Sequence, residues 1–112
     1  MPHFEEFYAD KLRGTLGVAD AESVLDLRSA SREQAAASIQ DMLERSRFAQ
    51  RKAVAIRLAP PPAGGGETLF QPVGKALLEA KKRGWIERLQ TLPAHDGLGF
   101  YVVLAGRPES KG

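Results

Sequence analysis

The segment Phe100-Tyr101-Val102-Val103-Leu104 restricts the fold more than any other stretch of this chain. It is apolar at every position, so as an extended strand it needs cover on both faces and belongs inside a sheet. The chain has 112 residues, the size of one domain, and folding should bury roughly two-thirds of its unfolded surface. A composition 43% hydrophobic and 27% charged suits such a globule and excludes a disordered tail.

The remaining elements follow from periodicity and stop signals. Ser23–Arg28 alternates, with Leu25 and Leu27 on one side and Val24, Asp26 and Arg28 on the other, the pattern of a strand. Ser31-Arg-Glu-Gln34 is a capping box, and the helix it opens carries Ala35, Ile39, Met42 and Leu43 on one stripe as far as about Ala49. Lys52–Ala59 predicts a second strand with Val54, Ile56 and Leu58 on one side. Pro60–Gly66, with three prolines and three glycines, is a surface loop. The following helical pattern presents Val73, Leu77 and Ala80, tolerates Pro72 only in its first turn, and stops at Gly84. Trp85–Leu92 is a third strand, and Asp96-Gly97 marks the turn into the closing one.

The order is β-α-β-α-β-β. Right-handed crossovers put both helices on one face of a four-stranded mixed sheet, an α/β two-layer sandwich. The expected division is an N-terminal helix and linker over 1–21, the α/β domain over 22–106 and a polar tail over 107–112. In the first part, Phe4, Phe7, Tyr8 and Leu12 recur at helical spacing, and Gly17–Ala21 reads as the linker.

Several chemistries are excluded early. Without cysteine there are no disulfides, thiol nucleophiles or thiolate metal sites, and His3 and His95 do not make a histidine-based one. No metal or cofactor is expected. The uncharged run Gly97–Gly106 is ten residues long, too short to span a membrane. The acidic start Met1–Glu6 carries no apolar signal core, so the expected location is cytoplasmic. Gly64–Gly66 lacks the following lysine of a phosphate-binding loop, and Glu67 would repel phosphate. His95-Asp96 sits in a turn, where adjacent side chains seldom point together for base catalysis.

Charge is distributed unevenly. Residues 1–44 hold four basic and nine acidic side chains, a balance of −5; residues 45–112 hold twelve and five, a balance of +7. Arg45, Arg47, Arg51 and Lys52 fall within eight residues; Lys75, Lys81, Lys82, Arg83 and Arg88 surround the second helix, with Arg57 between the groups. Such side chains neutralise phosphates without base-specific geometry, so RNA or DNA is the expected partner. Phe48, Trp85 and Tyr101 are candidate stacking faces, although their apolar character places all three in the core. The competing expectation is a protein-interaction module using Phe4, Phe7, Tyr8 and Leu12 together with the Pro/Gly loop.

From Val24 to Ala105 the chain resembles a divergent Smr (small MutS-related) domain. The resemblance rests on Leu25-Asp26-Leu27-Arg28 before a capped helix, the strand Ala53–Leu58 and the closing Gly99–Leu104. It implies the β-α-β-α-β-β sandwich, nucleic-acid binding and, as in several members, nicking of DNA or cleavage of RNA. Smr domains begin with Leu-Asp-Leu-His-Gly and carry His-Gly-x-Gly after the second strand. Here Arg28 and Ser29 replace the first His-Gly, and Ile56–Pro60 replaces the second motif. Asp26 is the matched carboxylate, and Arg28 stays protonated and cannot act as a general base. The expectation is therefore nucleic-acid binding without nuclease activity, through Arg28, Arg45, Arg47, Arg51, Lys52, Arg57, Lys75, Lys81, Lys82 and Arg83. Asp26 keeps open the alternative of metal-dependent nicking.

Overall fold

In the computed structural model, residues 16–66 and 68–107 are described. The expected N-terminal helix with Phe4, Phe7, Tyr8 and Leu12, and the tail beyond Arg107, lie outside them. Strand β1 (Ser23–Asp26) leads to helix α1 (Arg32–Ser46), strand β2 (Lys52–Arg57), helix α2 (Phe70–Lys82), strand β3 (Ile86–Thr91) and strand β4 (Gly99–Leu104). The sheet order is β1-β2-β4-β3, with β1 parallel to β2 and β4 antiparallel to both neighbours. Both helices therefore cross over between parallel strands, and β4 is interior, as its apolar sequence requires.

The main core lies between the helices and one sheet face. Ala35, Ile39 and Leu43 of α1 and Val73, Leu77 and Ala80 of α2 pack on Val54, Ile56, Val102 and Leu104. The first helix is fixed at its start as expected: Gln34 N donates to Ser31 Oγ at 3.0 Å, and Ser31 N donates to Gln34 Oε1 at 2.8 Å. Helix α2 approaches the sheet closely at Gly74, where a Cβ would stand 3.0 Å from the Phe100 ring. That ring stacks on Phe70, with centroids 4.7 Å apart.

The second sheet face has its own cover. Ala53, Ala55, Leu92, Tyr101 and Val103 pack with Leu16, Val18 and Ala21. The segment read as a linker is thus a 3-10 turn, Val18–Asp20, seated on the sheet. Asp96 holds it there by accepting from Val18 N at 2.8 Å, and Tyr101 donates its hydroxyl to Asp20 O at 3.3 Å. Burial pushes the Tyr101 phenol above its ordinary value.

Element ends differ from expectation by one to three residues; two of these shifts, and a bulge in β3, have clear local reasons. Helix α1 stops at Ser46 because Phe48 N and Ala49 N bond three residues back, to Arg45 O and Ser46 O, tightening the last turn. Strand β1 stops at Asp26 because Arg28 N turns back to Asp26 Oδ1 at 3.1 Å. Strand β3 is bulged at Glu87, so Ile86 pairs with Leu104 and Arg88 with Val103. Among the described residues no helix is long and apolar enough to cross a membrane.

Candidate functional site

The strand register decides which cations meet. Leu104 pairs with both Lys52 and Ile86, so the chain leaving β4 emerges beside the residues that precede β2 and β3. Both helices end at this same pole. Arg47, Phe48, Arg51, Arg83, Trp85 and Arg107 consequently line one open concavity. Ala105 N donates to Trp85 O at 2.9 Å and Arg107 N to Ala49 O at 2.7 Å, which fastens the three segments together.

Trp85 organises the pole. The Arg47 guanidinium carbon lies 4.9 Å from its ring centroid, and that of Arg83 lies 5.3 Å away. Two like charges gather over one ring because its π-face attracts both. Arg51 Nε donates to Glu87 Oε1 at 2.7 Å, and that bond raises the Arg51 pKa further, keeping it cationic. The bulge at Glu87 frees this carboxylate from the register and directs it to Arg51. Lys52 starts β2 beside Arg51, Lys81 and Lys82 close α2, and Arg45 pairs with Asp41 at 3.1 Å along α1. Cations at helix C-termini are also favoured by the helix dipole, which accounts for part of the clustering.

The aromatic residues separate into three environments. Tyr101 is buried and Trp85 half-buried, but Phe48 is 75% exposed, contrary to the core position expected from its apolarity. The 3-10 tightening after Ser46 carries its ring off the buried stripe of α1. Arg107, assigned to a polar tail from sequence, belongs to the pole; the pairing of Leu104 with Lys52 is the signal that locates it.

The other expected site residues lie at the opposite end. Arg28 Nε and Nη2 donate to Asp26 Oδ1 and Oδ2 at 2.9 and 2.7 Å, a bidentate, half-exposed pair. The hydrogen bonds from Arg28 hold the Asp26 carboxyl well below the usual carboxylate range, and the pairing raises Arg28 in turn. Arg57 stands opposite Asp26 in the register, and its Nη2 reaches Asp96 O at 3.5 Å. Lys75, Arg32 and Thr68 border a wide cleft beside the exposed Pro60–Gly66 loop. His95 Nε2 lies 3.5 Å from Asp96 Oδ1, while the other carboxylate oxygen serves Val18. Asp96 is thereby committed to the fold rather than to orienting a base. Among the described residues, no three His, Asp or Glu side chains converge as metal ligands.

In comparisons with protein-family models, curated proteins and solved structures, none matches this chain.

Proposed function

We propose that this chain is a nucleic-acid-binding domain of Smr type that lacks nuclease activity and grips phosphates with the pole around Trp85. The convergence of Arg47, Arg83 and Arg107 in one concavity carries the reading. These residues come from three separate segments, so local sequence bias alone does not explain their meeting. Guanidinium groups match phosphate oxygens bidentately and remain charged at any physiological pH. Phosphates carry no base identity, so binding through these cations is sequence-tolerant. Asp26 supports the non-hydrolytic part: both of its oxygens are occupied by Arg28, and its carboxyl is a weaker base than an ordinary aspartate.

The test is the salt dependence of binding to short RNA and DNA. Each phosphate contact contributes a slope of about −0.7 to −0.9 in log affinity against log salt. The triple variant Arg47→Gln, Arg83→Gln, Arg107→Gln keeps polar side chains at these positions and removes three charges. It should flatten the slope by about 2 to 3 units, equally for every sequence tried. An unchanged slope, or no binding by the intact chain at low salt, overturns the proposal. The latter result leaves a protein partner as the better account.

A further inference from the structure

Resting on the nucleic-acid reading above, we infer that the strand bound at this pole is unpaired, with one base stacked on Phe48 between phosphates held by the neighbouring arginines. Phe48 is the most exposed large apolar side chain described, 75% against 52% for Leu78 and 48% for Val24. It is also presented from fixed backbone. Two bonds three residues back close its turn, and Ala49 O, one residue on, accepts from Arg107 N. The ring is therefore held out to solvent by the fold instead of hanging from a loose segment.

Its surroundings decide what fits on it. Arg47, Arg51, Arg83 and Arg107 share its concavity, and Glu87, the acidic residue lining it, already pairs with Arg51. An apolar protein surface seated on Phe48 would strip water from these cations without compensating charge. A nucleotide offers both required chemistries at adjacent positions: a π-face for the ring and phosphates for the guanidiniums. A duplex offers only the phosphates, since its base faces are already stacked on one another. Trp85 does not compete for the base, because the guanidiniums of Arg47 and Arg83 lie over its ring. Trp85 is the platform that aims the arginines; Phe48 is the stacking face.

The experiment measures fluorescence anisotropy of the full chain with a labelled single-stranded pyrimidine oligonucleotide and with a duplex of equal phosphate number. Phe48→Leu removes the π-face while keeping an apolar side chain, and Phe48→Trp retains it. Intact protein should prefer the single strand by about 5- to 150-fold, the range for one base–aromatic stack. Phe48→Leu should reduce single-strand affinity to the duplex level without altering the salt slope, and Phe48→Trp should keep the preference. Emission of Trp85, the chain's one tryptophan, reports occupation of the pole by either ligand. Equal binding of strand and duplex, or full single-strand affinity in Phe48→Leu, overturns this inference and leaves phosphate binding intact. Binding of neither ligand overturns both. Phe48 is exposed, so these variants should melt as the intact chain does.

Discussion

At the scale of single residues, Asp26 and Arg28 show how one guanidinium commits a neighbouring carboxylate. Two positions apart at the end of a strand, they pair through both carboxylate oxygens, a contact the alternating sequence already placed within reach. The pairing has a definite pH signature. Asp26 has its folded value depressed, so its stabilisation is present above the ordinary aspartate range near about 3.9 and lost as pH falls through the folded value. An NMR titration should find the Asp26 carboxyl protonating well below that range, and Arg28→Ala should return it upward. Asp26→Asn should make the acid loss of stability less steep. The same pairing predicts no nicking of plasmid DNA and no cleavage of RNA above background with Mg²⁺ or Mn²⁺. Metal-dependent nicking that disappears in Asp26→Asn would show the carboxylate to be available after all. Phe48 and Arg107 were the residues least legible in the sequence. An apolar side chain near a helix end is normally buried, and only the tightened last turn reverses that for Phe48.

At the scale of elements, the stop and start signals carried most of the information. The capping box, the Val73-Leu77-Ala80 stripe and Gly84 set both helices nearly where they occur. Boundaries slipped by two or three residues where side chains or 3-10 bonds compete with the regular ladder, a competition that periodicity does not register. Gly99 explains why a glycine opens the closing strand. Its φ is +155°, and a Cβ there would collide with the Ile56 carbonyl oxygen, inside the pairing of β2 with β4. Gly99→Ala should therefore destabilise the fold by more than about 3 kcal/mol, combining backbone strain with a broken ladder. By contrast, Ser31→Ala removes one exposed cap and should cost about 0.5 to 2 kcal/mol. Urea denaturation of both variants checks the ranking, and a milder effect at Gly99 than at Ser31 would refute this account of the β2–β4 contact.

At the scale of the whole molecule, strand order sorts the basic residues into two ends that composition could not separate. The sequence groups Arg57 and Lys75 with Arg47 and Arg83, but β2 and α2 each run the length of the sandwich and carry these residues to opposite poles. The second cover of the sheet was equally hidden, because Gly17–Ala21 holds too few apolar residues to announce a packed segment. The separation of the poles is testable. Helix α1 has 15 residues, a length of about 22 Å at 1.5 Å per residue, and Lys75 precedes Arg83 by eight residues, about 12 Å along α2. The screening length at physiological salt is about 8 Å. A phosphate at the Trp85 pole is thus nearly insensitive to Arg28, Arg57 and Lys75, and Arg28 is already neutralised by Asp26. Replacing these three with Gln should lower the salt slope for a short oligonucleotide by less than about 1 unit, whereas the triple replacement at the pole lowers it by about 2 to 3. Equal losses from the two variants would mean that the strand lies along the full length of the sandwich. A loss confined to the Arg28, Arg57 and Lys75 variant would move the interface to the end where Asp26 stands, and with it the argument for Phe48.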